Sequence, residues 1–328
     1  MNCMHDQGKY SEYDYNRRQL KTDIKKKRKY QMVISGQRNI LYHIIAIVTV
    51  VIWGTTFVST KILINIGLSP AEIMLYRFVL AYFCMLPFAY KKLLANNLKD
   101  EFLMLLAGIS GGSLYFVAEN TALGITLASN VSLLVCTIPI ITSILSYLLY
   151  KEPLRRRFLF GSLMALAGVG MVVFNGSVLL KINPLGDFLT MIASVSWAFY
   201  CILLKRLSAR YSIMFITRKV FFYGVLSLLP YFLIVPLEVD VELLKLPVVY
   251  LNLLFLGCVA SMFCFLMWNT AVQFLGAAKT ANYIYVVPMV TLLTSAAFLS
   301  ETLTWVSLAG ATAIISGVYI AEKQNKEI

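Results

Sequence analysis

The chain repeats itself at a fixed spacing. Asn120-Thr121-Ala122 returns as Asn269-Thr270-Ala271, Pro139 as Pro288, Glu152 as Glu301 and Leu154 as Leu303. Gly108, Gly161 and Gly168 return as Gly257, Gly310 and Gly317. Each pair differs by 149, so no gap is needed across the later part of each half. Earlier in each half the spacing is 144 (Trp53/Trp197, Lys61/Lys205) or 143 (Pro87/Pro230). The extra residues therefore belong to the 235–245 loop. A chain built this way folds as two copies of one unit.

Each copy is too apolar for a soluble fold. Of 328 residues 59% are hydrophobic and 14% charged, with mean hydropathy +0.75. A spanning helix needs about 20 mostly apolar residues. Ten windows qualify: 41–60, 71–90, 102–121, 128–149, 158–174, 185–204, 220–235, 249–272, 280–300 and 302–321. The expected fold is an all-α integral membrane protein of ten transmembrane helices, with one five-helix repeat over 41–174 and a second over 185–321. Five is odd. The second repeat must then enter the bilayer upside down relative to the first, an arrangement found in secondary transporters.

The charges agree with an even number of spans. The net charge is +13. With the N-terminus inside, 25 of the 29 Lys and Arg fall on the inner side and only Lys61, Lys181 and Lys245 outside; Arg77 lies within a helix. This asymmetry places both termini in the cytoplasm by the positive-inside rule. Such a distribution explains the basicity without a nucleic-acid partner. Residues 1–40 are a polar arm with 10 basic and 4 acidic side chains, expected to be disordered and to lie on anionic lipid. Met32, just before the first span, is an alternative translation start.

No cofactor or metal is expected. Cys84, Cys136, Cys201, Cys258 and Cys264 fall inside spans without metal-ligand spacing, and read as small packing residues. His5 and His43 form no HExxH pair, and the chain has no nucleophile elbow or phosphate loop.

Several short motifs in order carry a resemblance. They are Trp53-Gly54, Pro70 followed by Arg77-Phe78, Pro139, Glu152, Gly161 and Gly168, then Trp197, Pro288, Glu301, Gly310 and Gly317. The chain resembles ten-helix members of the drug/metabolite transporter superfamily, EamA type. The resemblance implies two inverted five-helix bundles around a central cavity, and carriage of a small metabolite without ATP hydrolysis. The arm lies outside the shared pattern, and Val220 stands opposite Arg77, so the halves are not equivalent near their second helices.

Candidate site residues are those polar or aromatic at membrane depth. Arg77 and Glu119 are read as the ionisable groups clearly within spans, where a charge must pair or face water. Both lie in the outer half and can pair; either contacts a charged substrate, and Glu119 is the candidate proton carrier. A structural ion pair is the competing reading. Trp53, Trp197, Trp268, Tyr200, Tyr283 and Tyr285 lie deeper than an interfacial belt, as cavity wall or as packing. Asn120, Asn130, Asn269 and Asn282 either bond between helices or line a polar cavity. Pro139 and Pro288, near mid-helix, are hinge candidates or static kinks. The Gly161/Ala165/Gly168 and Gly310/Ala313/Gly317 faces are expected to let helix backbones approach closely. Glu152 and Glu301 read as caps at opposite faces.

The function expected is secondary transport, in the export direction by analogy, of small polar metabolites such as amino acids across the plasma membrane by alternating access. Partners are the metabolite and lipid; oligomeric state is open. A membrane-embedded enzyme or a non-transporting scaffold or sensor is the alternative.

Overall fold

In the computed structural model the described residues are 40–90, 92–126, 128–153, 156–174, 183–235, 237, 241–299 and 304–322. The arm, Glu301 and Leu303 lie outside them. By contact, the described residues from Ile45 onward form one compact unit, and residues 40–44 are the first turn of a helix. The described residues are helical, without strands.

Helix α1 is Ile40–Ile66, α2 Pro70–Ala89 and α3 Leu98–Ile125. Two shorter helices follow, α4 (Ala128–Val135) and α5 (Ile138–Tyr150), then α6 (Arg156–Phe174). The second half runs α7 (Pro184–Leu207), α8 (Ile213–Ile234), the short α9 (Val241–Lys245), α10 (Pro247–Leu275) and α11 (Ala277–Ala281). A 3-10 turn over Asn282–Val286 leads to α12 (Val287–Leu299), and α13 (Trp305–Glu322) closes the described chain. Among the described residues, eight helical stretches are long and apolar enough to cross a membrane, one of them Val131–Tyr150, which runs through both α4 and α5, and Trp305–Ala321 is a shorter apolar helix.

The helix starts follow local chemistry. Ser69 caps α2 with a full capping box to Glu72, and Pro70 takes the first turn, where no amide donor is needed. Ser212 caps α8 at the repeat-equivalent place. Asn97 and Asn183 cap α3 and α7. Gly276 ends α10 at φ 91, a conformation side chains other than glycine resist.

Three expectations need correction. The 128–149 window is not one helix. Its ladder stops at a turn over residues 136–137, and Pro139 stands in the first turn of α5. Pro288 likewise follows the 3-10 turn at the start of α12. Neither proline sits mid-helix: each opens a fresh helix, where its missing N–H costs nothing. Third, α8 begins seven residues before the expected span. Arg218 and Lys219 therefore lie inside it, and both are buried. They are tolerated because they are satisfied. Arg218 donates to the carbonyls of Ala89, Lys92 and Leu93, and Lys219 pairs with Glu101.

The small-residue faces of α6 and α13 meet as their spacing predicts. A Cβ on Gly161 would stand 2.5 Å from the Gly317 carbonyl oxygen, and one on Gly168 would stand 2.7 Å from that of Gly310. The two backbones touch. Two other glycines bring the repeats together. Gly108 of α3 lies against Tyr223 and Gly224 of α8, while Gly257 of α10 lies against Leu80 and the Arg77 carbonyl of α2. Tyr223 and Leu80 are equivalent at the 143 spacing, so these are one contact made twice.

At each of these glycines the helix widens to π geometry, over Ile109–Ser113 just after Gly108 and over Phe255–Phe263 around Gly257. A π turn loosens the regular ladder and leaves carbonyls for other donors. Ser196 Oγ of α7 donates to the Ser110 carbonyl (2.8 Å), and Trp53 Nε1 of α1 donates to the Ala260 carbonyl (3.0 Å). Each widened turn is thus bonded by the first helix of the opposite half.

Candidate functional site

Between the two halves lies a partly open cavity. Helix α1 contributes Trp53, Thr56 and Phe57; α2 contributes Arg77; α3 contributes Tyr115, Phe116 and Glu119. Trp197 comes from α7, and Val135, Ile138, Ile284 and Val287 come from the two broken helices. The breaks at residues 136–137 and 282–286 therefore border the cavity.

Arg77 is 2% exposed. Its Nε donates to Ser261 Oγ (2.9 Å), and the guanidinium lies over the Phe116 ring, 4.2 Å from the centroid. The π turn places Ser261 there. One polar bond and one ring face hold the cation in position while it still borders open space. Glu119 is also buried, and its Oε1 accepts from Tyr115 Oη at 2.6 Å. Among the described residues Arg77 and Glu119 form no direct ion pair. The cavity thus presents a cation and a carboxylate as separate groups.

Five aromatic rings stand in the wall, those of Trp53, Phe57, Tyr115, Phe116 and Trp197. Trp53 meets Trp197 edge-on (centroids 5.2 Å apart), and Tyr115 lies 4.7 Å from Trp197. Trp268 and Phe265 pack behind Trp53. The repeat-related tryptophans differ in one respect. The Trp53 indole N–H is used on Ala260, whereas that of Trp197 is buried without a partner among the described residues. An unmet donor beside a cavity is costly unless a ligand or water takes it.

Of the residues singled out by sequence, Trp53, Arg77, Glu119 and Trp197 come together on this cavity. Trp268 and Tyr200 stand in the layer behind, both fully buried. Asn269 bonds between helices: it accepts from Tyr200 Oη (2.7 Å) and donates to Thr217 Oγ1 (2.9 Å). Asn120 Nδ2 donates to the Pro70 carbonyl at 3.3 Å. Asn282, Tyr283 and Tyr285 are buried in the 3-10 turn. Asn130 belongs to α4, and its side chain lies outside the described residues. Glu152 pairs with Lys205. Tyr115, Phe116, Thr56 and Phe57 were missed. Helical spacing carried the signal: they stand three or four residues from Glu119 and Trp53, on the same faces.

Among the described residues no group of His, Cys, Asp and Glu is placed to hold a metal ion. Comparison with known proteins gives a consistent picture. The sequence profile described as the EamA-like transporter family matches residues 40–174 and again 184–322. An "Uncharacterized transporter" of Archaeoglobus fulgidus is 27% identical over 289 residues, covering 87% of this chain and 98% of its own. A "Probable amino-acid metabolite efflux pump" of Salmonella typhimurium is 28% identical over 289 residues, covering 84% and 93%. A protein of the same description from Escherichia coli is 25% identical over 287 residues, covering 84% and 93%. One crystal structure aligns with TM-score 0.69 at 16% identity, over 85% of this chain and 97% of its own, a likeness of fold.

Proposed function

The chain belongs to the EamA-like transporter family, a multi-pass membrane family, and from that membership we propose that it is a secondary transporter of small zwitterionic metabolites, of which amino acids are the simplest. The observation that carries the reading is the pair of separate, buried, opposite charges on one aromatic cavity. A zwitterion satisfies both. Its carboxylate meets the Arg77 guanidinium and the Trp197 N–H, and its ammonium meets Glu119 and the ring faces of Trp53 and Tyr115. Glu119 stands opposite Trp268 at the 149 spacing, and Arg77 opposite Val220 at 143. The repeat breaks its symmetry where a ligand with unlike ends has to be held.

The remaining features fit transport. In this reading the chain makes ten passes. The ninth is formed by α11, the 3-10 turn and α12, and the tenth by α13. The two repeats are inverted, both termini lie in the cytoplasm, and the protein resides in the plasma membrane. Broken helices beside a midplane cavity are a recurring device in carriers of this architecture. The matched Gly108 and Gly257 contacts give two equivalent surfaces on which the halves rock to open the cavity to each side in turn. Glu119 is placed to bind the substrate ammonium or a coupling proton. Export is the favoured direction, in line with the printed names of the Salmonella typhimurium and Escherichia coli relatives.

The test is counterflow in proteoliposomes against a panel of labelled metabolites. The reading expects uptake of one or more zwitterions and none of analogues that carry only the anionic or only the cationic end. Equal exchange of singly charged or neutral analogues would overturn it.

A further inference from the structure

The contact that joins the repeats is made twice, but with different chemistry at its two ends. At one end α3 starts against α8 and the turn before it. Asp100 is 2% exposed and accepts from Tyr211 Oη (2.8 Å) and Arg210 Nη1 (3.0 Å). Glu101 accepts from Lys219 and from Tyr223 Oη, and also from the Ala95 amide at 2.6 Å. Tyr211 Oη in turn accepts from the Asn96 amide. Asp100 and Glu101 belong to the first half; Arg210, Tyr211, Lys219 and Tyr223 belong to the second. Charged hydrogen bonds cross the seam here.

The equivalent positions at the other end follow from the two spacings. Asp100 and Glu101 become Val249 and Tyr250 at 149. Tyr211, Lys219 and Tyr223 become Leu68, Tyr76 and Leu80 at 143. Leu68 and Val249 are indeed packed together there, in a separate apolar cluster with Leu63, Ile73 and Leu253. Ser59 Oγ donates to Asn252 Oδ1 across this end, a bond between neutral groups. The same seam is thus an ionic latch at one end and an apolar seal at the other.

We propose that these are two gates of unlike strength, and that the Asp100–Glu101 latch holds its end of the cavity shut in the resting protein. This rests on the transport reading above. The positive-inside reading puts the latch at the cytoplasmic end. Charge-assisted bonds are stronger than neutral ones, and parting the latch gives up several of them at once. The apolar end, when it parts, gives up one bond between neutral groups, Ser59 to Asn252. The resting population is therefore biased toward the state closed at the latch, and substrate arriving from that side has to break it.

The experiment reads cavity access, not flux. In a full-length background cleared of native cysteines, Thr56→Cys puts a thiol on the cavity wall. Its reaction with an impermeant maleimide is timed in right-side-out and inside-out vesicles. Asp100→Asn combined with Glu101→Gln should speed labelling from the latch side about tenfold, with none of that gain from the other side. Glu101→Leu combined with Lys219→Leu removes both charges at once and leaves no bare ion. It serves if the first variant melts early, and it should show the same one-sided gain. Unchanged labelling, or an equal gain from both sides, would overturn the latch. The two readings part cleanly. One-sided labelling in a protein that moves no metabolite keeps the latch and removes the transport reading. Transport without one-sided labelling does the reverse.

Discussion

Gly257→Ala should damage both folding and substrate binding, whereas Gly108→Ala should damage folding alone. At Gly257 an added Cβ would stand 2.7 Å from Leu80 Cβ and 3.2 Å from the Arg77 carbonyl oxygen. At Gly108 it would stand 2.4 Å from Tyr223 Cβ and 3.0 Å from the Gly224 amide nitrogen. Carbon atoms prefer about 3.5–4.0 Å. Either methyl therefore forces the crossing helices apart by about 1 Å. Overpacking of this kind costs about 1–3 kcal/mol, which for a chain of this size lowers the melting temperature by about 5 °C. Gly124→Ala is the control, since nothing lies within 4 Å of its Cβ position and it sits in α3. There the gain in helix propensity, up to about 1 kcal/mol, leaves the melt unchanged or slightly higher. Thermal unfolding of the purified protein, followed by size-exclusion fluorescence, separates the three. Only Gly257 abuts the backbone of Arg77, so only Gly257→Ala should also raise the KM for a zwitterionic substrate. Coincident melts for all three variants, or an equal KM effect at Gly108, would refute the reasoning.

Other outcomes follow from single contacts. Ser261→Ala should weaken binding about tenfold by freeing the Arg77 Nε, and Ser261→Thr should restore most of it, measured as KM in counterflow. Trp197→Phe should raise KM several-fold, since the indole N–H has no partner among the described residues and is left for the substrate; an unchanged KM would show that the substrate does not use it. Pro139→Ala and Pro288→Ala should melt close to the parent, because each proline stands in the first turn of its helix; slowed exchange in both would show that the breaks bend during transport. Glu119→Gln should keep the Tyr115 contact yet lose affinity for substrates with an ammonium group, read as competition by zwitterions in the counterflow assay.

Much of the fold was legible because its causes are local or periodic. Apolar length marks eight helical stretches able to cross a membrane, and the 149 spacing pairs Gly108 with Gly257 and Gly161 with Gly310. The α6–α13 seam followed from small residues on one face. The breaks at Pro139 and Pro288 were harder to read. A proline within an apolar run looks the same whether it kinks a continuous helix or starts a new one, and the preceding turn has no marker residue. Arg218 and Lys219 misled for another reason. Their partners, the carbonyls of Ala89, Lys92 and Leu93 and the Glu101 carboxylate, lie more than a hundred positions away in sequence. Depth identified Arg77 and Glu119, but their shared cavity depends on how α2 and α3 are rotated. Asn269 shows the converse: a polar group at membrane depth that is spent on neighbouring helices.

The central claim is that Arg77 and Glu119 hold the two ends of one zwitterion. The direct measurement is counterflow of a transported amino acid by its parent form, its carboxamide and its N-acetyl derivative, in the unaltered protein, Arg77→Gln and Glu119→Gln, each checked for an intact melt. The account predicts that the unaltered protein prefers the parent form by at least tenfold. Arg77→Gln should erase discrimination against the carboxamide alone, and Glu119→Gln should erase discrimination against the N-acetyl derivative alone. Discrimination against both analogues that survives in both variants would contradict it.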